Sequence, residues 1–268
     1  MNQTVIDQIG RSIILPIRPE RIVSLVPSQT ELLFDLGLDG QIVGVTRFCI
    51  HPGSQASVKT RVGGTKDFNF DLINDLKPDL IIGNKEENYI EGIEELSKHF
   101  PVWMSDIATL DDACEMMMGI GEITDRKDKA RNLVNEIRSS FYSFSTINDP
   151  TSIKSCAYFI WRKPYMVAAS GTFIDHMLCT LGVKNIFAGQ TRYPEVTAAQ
   201  IADAAPDYIF LSSEPYSFSD KHIDEFKRMS PSSRVIIVDG ELFSWYGSRL
   251  RYTPAYFEDL KRYMSNDI

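Results

Sequence analysis

Two nine-residue stretches far apart in the chain share one pattern, and that pattern restricts the fold more than any other feature of the sequence. "INDLKPDLI" at 73–81 and "IADAAPDYI" at 201–209 agree at the first Ile, an Asp, the Pro-Asp pair and the last Ile. Each reads as the end of a helix, a Pro-Asp break and the start of a strand, because the residue before proline is pushed out of the helical region. A weaker echo joins "TELLFDLGL" at 30–38 to "DHMLCTLGV" at 175–183, where Leu-Gly closes each helix. The echoes keep the same order in each half, so the chain is expected to hold two similar α/β lobes.

Short apolar runs at 22–26, 42–45, 80–83, 102–104, 157–160, 208–211 and 235–238 read as buried strands. Between most of them lie segments with helical spacing, including 30–36, 89–99 and 173–181. Strand alternating with helix implies mainly parallel sheets covered by helices. Residues 124–147 run without Gly or Pro, with Ala130, Leu133, Val134, Ile137, Phe141 and Phe144 at helical spacing and Thr124 placed to cap the start. One long rigid helix that limits hinge bending is therefore expected to join an N-terminal lobe at 1–123 to a C-terminal lobe at 148–268.

The formal charge of -8 argues against a nucleic-acid binder, which needs a basic face for phosphates. Cys49, Cys114, Cys156 and Cys179 form no CxxC pair, so reduced and mostly buried thiols are expected. No stretch approaches the ~20 apolar residues of a membrane span. "MNQTVIDQIGRSIILPIRPERI" lacks the basic start and apolar core of a secretory signal. The expectation is a cytoplasmic protein if Met1 is the natural start, and a periplasmic one if a signal was removed. No GxSxG elbow, HExxH motif or other hydrolytic arrangement occurs, and no intrinsic cofactor is expected.

In open α/β sheets a ligand lies beyond the carboxyl ends of the strands. The turn after the first strand holds Ser28 and Gln29 where a nucleotide-binding protein would carry a glycine-rich cradle. A bulky ligand held by side chains and shape suits that turn better than a phosphate. "RFCIHP" follows the second strand, and Cys49 and His51 are two residues apart, so in an extended segment they point the same way. That pair suits zinc, copper or iron, and His51 also suits the lower axial position of cobalt. "GNKEEN" follows the next strand and brings Asn84, Lys85 and Glu86, while Lys66 lies in "GGTKD". Capping and solvent turns explain these residues as well as ligand contact does. Trp161 and Arg162 end a second-lobe strand, and "FSWYGSR" places Trp245, Tyr246 and Arg249 after another. These aromatics are expected to form one wall of a cleft and to stack on a flat macrocycle, with Trp245 dispensable for folding, while Arg162 or Arg249 meets peripheral carboxylates or amides.

In "RIVSLVPSQTELLFDLG", "IVGVTRFCIHP", "RVGGTKDFNFDLINDLKPDLIIGNKEEN" and "YPEVTAAQIADAAPDYIFL", taken in this order, the chain resembles the class III substrate-binding proteins of ABC importers. This is the helical-backbone group that binds cobalamin and ferric siderophores, and the cobalamin-binding branch is the most similar. The resemblance implies a non-enzymatic protein that holds a corrinoid or ferric-siderophore chelate between its lobes for ABC-type uptake. It also implies an acid near each lobe's tip that docks on the permease. Asp71 fits the first position, whereas the second falls on Ala198 and Ala199, with Glu195 nearby. The alternative is a cytoplasmic metal-binding enzyme or metallochaperone that uses Cys49 and His51.

Overall fold

The structure is a computed structural model that describes residues 1–145 and 153–265. It opens on an antiparallel hairpin of β1 (Asn2–Ile6) and β2 (Ser12–Pro16), which turns through Gly10 at a φ of 81°. The first α/β unit follows. Its elements are β3 (Ile22–Ser24), α1 (Pro27–Asp35), β4 (Ile42–Val45), α2 (Gly53–Ser57), β5 (Thr60–Arg61), α3 (Phe70–Leu76), β6 (Leu80–Asn84), α4 (Ile90–Ser97), β7 (Val102–Ser105) and α5 (Leu110–Ile123). The five strands pair in parallel in the order β5-β4-β3-β6-β7. β3, β6 and β7 are buried at every residue, which is why they read as unbroken apolar runs. Val23, Leu25, Ile81, Ile93 and Met104 pack in one cluster beneath the sheet.

The long helix α6 (Lys127–Ser145) comes next, and its six expected apolar positions are all buried. The end of the expected helix, Thr146 and Ile147, lies outside the described residues. Its start differs from expectation. The Thr124 hydroxyl donates to the Ile120 carbonyl at 2.6 Å, so Thr124 closes α5 instead of capping α6. A threonine hydroxyl serves both purposes, and only the backbone path decides between them.

The second unit contains β8 (Ser155–Trp161), β9 (Tyr165–Val167), α7 (Phe173–Leu181), β10 (Lys184–Asn185), β11 (Glu195–Val196), α8 (Ala198–Ala204), β12 (Tyr208–Ser212), α9 (Ile223–Met229), β13 (Arg234–Val238), α10 (Glu241–Ser244) and α11 (Thr253–Ser265). β10, β8, β12 and β13 run parallel, while β9 and β11 add an antiparallel edge. By their contacts, Met1–Ile107, Asp111–Arg138 and Tyr246–Arg249 form one unit. Ala108–Leu110, Ser139–Trp245 and Leu250–Ile268 form the other, so α6 contributes residues to both.

The internal echo acquires a physical meaning here. α3 and α8 both stop on a left-handed residue that is not glycine, Lys77 at φ 46° and Ala205 at φ 36°, and Pro-Asp follows each. The two aspartates then do the same task. Asp79 accepts from the backbone N–H groups of Glu20 and Arg21 just before β3, at 2.9 and 2.8 Å. Asp207 accepts from the backbone N–H and hydroxyl of Ser155 at the start of β8, at 2.8 and 2.6 Å. Those bonds from Ser155 hold the Asp207 carboxyl below its ordinary value. The second echo is a pair of matching C-caps. Gly37 (φ 77°) lets Leu38 N–H reach Leu33 O at 3.0 Å, and Gly182 (φ 87°) lets Val183 N–H reach Leu178 O at 3.1 Å.

Candidate functional site

In the first unit the chain leaves β3 toward β4 and β5, then returns past β3 to β6. Strand order therefore reverses between β3 and β6, and the loops beyond these two strands are the expected ligand position. Ser28 and Gln29 do not sit in an open turn. Pro27 occupies the first position of α1, which suits its fixed φ and missing N–H, and both following residues are buried in the first helical turn. The Gln29 amide donates to the Ser105 hydroxyl at 2.6 Å, and the Asn84 amide donates to the same oxygen at 3.0 Å. Ser105 thus ties the ends of α1, β6 and β7 together. The Asn84 Oδ1 accepts from the backbone N–H groups of Glu86 and Glu87 and shapes the loop that carries them.

The segment Tyr246–Arg249, expected on the second lobe, belongs to the first unit. The Tyr246 hydroxyl donates to Glu87 Oε1 at 2.6 Å. Arg249 donates to both oxygens of Glu31, at 3.0 and 2.7 Å, midway along α1. Between them Gly247 passes so close to α1 that an added Cβ would lie 2.4 Å from the Ser28 carbonyl oxygen. Burial, with the Glu87 charge beside it, pushes the Tyr246 hydroxyl well above its usual range. Burial also raises Glu31 against the opposing pull of Arg249.

The loop after β4 is a turn closed by Cys49 N–H on Thr46 O at 3.2 Å, not the extended segment expected from "RFCIHP". Cys49 is fully buried, and its sulfur lies 3.1 and 3.2 Å from the hydroxyls of Thr30 and Thr46. Burial pushes the thiol up, away from the thiolate that a metal requires. His51 is half-buried beside the Glu31 charge. Among the described residues no group of three or more His, Cys, Asp or Glu side chains is arranged to hold a metal. The metal reading of Cys49 thus gives way to a packing role, for the steric reason that its sulfur is enclosed. Its neighbours Phe48 and Ile50 are exposed instead.

In the second unit the reversal lies between β8 and β12. Trp161 ends β8 at 39% exposure, with its ring edge-on to Tyr216 at 5.6 Å. Arg162 is taken by Glu225 at 2.8 Å, and the Tyr165 hydroxyl donates to the same carboxylate. Trp245 is 7% exposed, with its indole N–H on Glu214 Oε1 at 2.9 Å. It is a packed residue, because its ring is out of water while its one polar atom finds an acceptor on half-buried Glu214. In the first unit Lys66 reaches the Glu86 carbonyl at 2.8 Å, and Lys85 pairs with Asp106.

One family matches along most of the chain. The model of the periplasmic binding protein family matches residues 22–231. The chain belongs to the periplasmic binding protein family. The vitamin B12-binding protein of Pectobacterium carotovorum subsp. carotovorum is 24% identical over 236 residues, covering 87% of this chain and 84% of its own. Two solved structures share the fold. The periplasmic vitamin B12 binding protein BtuF of Vibrio cholerae superposes with a TM-score of 0.81 at 22% identity, over 93% of this chain and 99% of its own. A periplasmic heme binding protein of Pseudomonas aeruginosa reaches 0.77 at 18% identity, over 90% and 92%.

Within this family fold, Asp71 lies exposed in the first turn of α3, which Asn69 caps. The equivalent α8 opens with Ala198 and Ala199 under a Thr197–Gln200 capping box, with exposed Glu195 just before it. Glu214 follows β12 as Glu86 follows β6, and it serves the fold by accepting from Trp245 and, at 2.7 Å, from Ser244. Burial raises its carboxyl above the usual 4.5, against those two hydrogen bonds. The folded chain therefore holds this proton more tightly than the unfolded chain. Its contribution to stability is fully present below the ordinary carboxylate range and is lost as pH rises through the raised folded value. Glu214→Gln keeps an acceptor oxygen and removes the titration. Urea melts of the two proteins across that window should show the binding protein losing stability relative to Glu214→Gln as pH rises. A constant difference would contradict the raised carboxyl of Glu214.

Proposed function

We propose that the chain is a non-enzymatic binding protein for a corrinoid-like metal chelate, of the kind that serves ABC-type uptake. The carrying observation is the half-exposed Trp161 ring, braced edge-on by Tyr216 beyond β8. In the first unit exposed Phe48 and Ile50 lie beyond β4. Large apolar faces at strand ends suit the face of a macrocycle, where stacking adds to the burial of area. The relatives named for vitamin B12 binding support the choice of corrinoid over haem or siderophore. Asp71 is the proposed docking acid for a permease. Among the described residues no helix is long and apolar enough to cross a membrane.

Equilibrium dialysis with cobalamin, haemin and ferric siderophores tests the reading. At 100 times Kd a ligand adds about 2.7 kcal/mol of stability, visible as a raised melting temperature. Trp161→Ala should weaken corrinoid binding by ~10-fold, the equivalent of 1.4 kcal/mol. The same change should hardly move the melting temperature, since the ring is not part of the core. Corrinoids that leave the melting temperature unmoved, while haemin or a siderophore raises it, would replace the corrinoid by that ligand.

A further inference from the structure

Three cations just past strand ends, and Arg249 beside α1, are each paired with a carboxylate. Arg47 lies two residues past β4 and donates to both oxygens of Asp67, at 3.0 and 2.8 Å. Lys85 directly follows β6 and pairs with Asp106 at 2.5 Å. Arg249 holds Glu31 midway along α1. In the second unit Arg162 directly follows β8 and holds Glu225. The partners come from 20, 21, 218 and 63 positions away in the chain, so the fold, and not local helix or turn geometry, makes each of these pairs.

We propose that these carboxylates set the charge class of the ligand, so that the protein takes chelates with a neutral, amide-bearing edge and rejects those fringed with carboxylates. The inference rests on the reading of the chain as a chelate-binding protein and names which chelates it prefers. An anionic ligand that reaches for Arg47 or Lys85 must displace a carboxylate that stays tethered within a few ångströms. At such separations two like charges repel by about as much as the new pair attracts. Juxtaposed like charges are a standard means of excluding the wrong partner. A neutral edge meets no such opposition, and the exposed Phe48 and Ile50 beyond β4 serve it equally well.

The test uses two matched pairs of ligands, an amide corrinoid with its polycarboxylate counterpart, cobyrinic acid, and a neutral ferric trihydroxamate with ferric citrate. Calorimetry at low and high salt reads the affinity ratio within each pair. The neutral member should bind at least roughly tenfold more tightly. Asp67 and Asp106 are both exposed, so the double variant D67N/D106N keeps the fold while releasing Arg47 and Lys85. It should narrow the ratio by about threefold or more, and high salt should erase that gain. A carboxylate member that binds the wild type as tightly as its neutral partner would overturn the proposal. So would a ratio unchanged in the double variant, or the failure of every neutral chelate to bind. Binding of the ferric pair alone would end the corrinoid assignment and leave charge selection to be judged on that pair.

Discussion

Arg249→Ala is expected to destabilise the chain by about 3–5 kcal/mol, because it strands a buried carboxylate. The Glu31 and Arg249 side chains are only 13% and 15% exposed, and both guanidinium contacts are of hydrogen-bond length. Arg249 also anchors the Tyr246–Arg249 segment against α1, where Gly247 leaves no room for a side chain. Burial already raises the Glu31 carboxyl, and Arg249 is the main influence lowering it. Without Arg249 the folded value rises further above the unfolded one. Raised means that stability is greatest below the ordinary carboxylate range and falls as pH climbs through the folded value. The variant should therefore lie closest to the wild type at acid pH and furthest from it at neutrality. Adding Glu31→Gln should recover part of the loss at neutral pH, since no charge is then buried alone. Urea denaturation of both variants across pH checks this, and a pH-independent deficit would mean that lost packing matters more than the stranded charge.

Elements whose information is local were legible in the sequence. β4 and α7 fall on the expected residues, and the other expected strands are met within one or two positions, because strands buried on both faces must be apolar at every residue. The matched Pro-Asp breaks worked for the same reason, since their meaning is written within nine residues. The β1–β2 hairpin escaped notice. Ile6 and Ile14 point to solvent, so the alternation that marks a half-buried strand is blurred there. The site was legible as residue types and illegible as partnerships. Lys85, Arg162 and Arg249 are where ligand contacts were expected, yet each meets an acid brought by the fold from elsewhere in the chain. Glu31 and Arg249 are 218 positions apart, and no periodicity encodes that pairing. The same holds for Cys49, whose enclosure by Thr30 depends on how α1 packs against the β4 loop.

Trp245 marks the sharpest difference between sequence and structure, and it yields the second large effect. A tryptophan in "FSWYGSR" reads as a loop residue free for a ligand, and Trp245→Ala would then spare the fold. At 7% exposure, with its indole N–H committed to Glu214, the opposite outcome is expected. Truncating a buried aromatic to alanine costs about 3–5 kcal/mol through lost transfer energy and the cavity left behind. Half-buried Glu214 would also lose one of the two donors Ser244 and Trp245. In a chain of this size that loss corresponds to a fall in melting temperature of roughly 5–9 °C. Trp245→Phe separates the two contributions. It keeps most of the apolar bulk and removes only the donor, so its cost should be about 1–3 kcal/mol, the range for an unsatisfied buried acceptor. Thermal and urea melts of both variants, beside Trp161→Ala, give the decisive contrast. Trp245→Ala should lose stability and Trp161→Ala should lose ligand, because one indole is enclosed and the other still offers a face to water. A stable Trp245→Ala protein with weakened binding would return Trp245 to the ligand and remove the reason for treating the two residues differently.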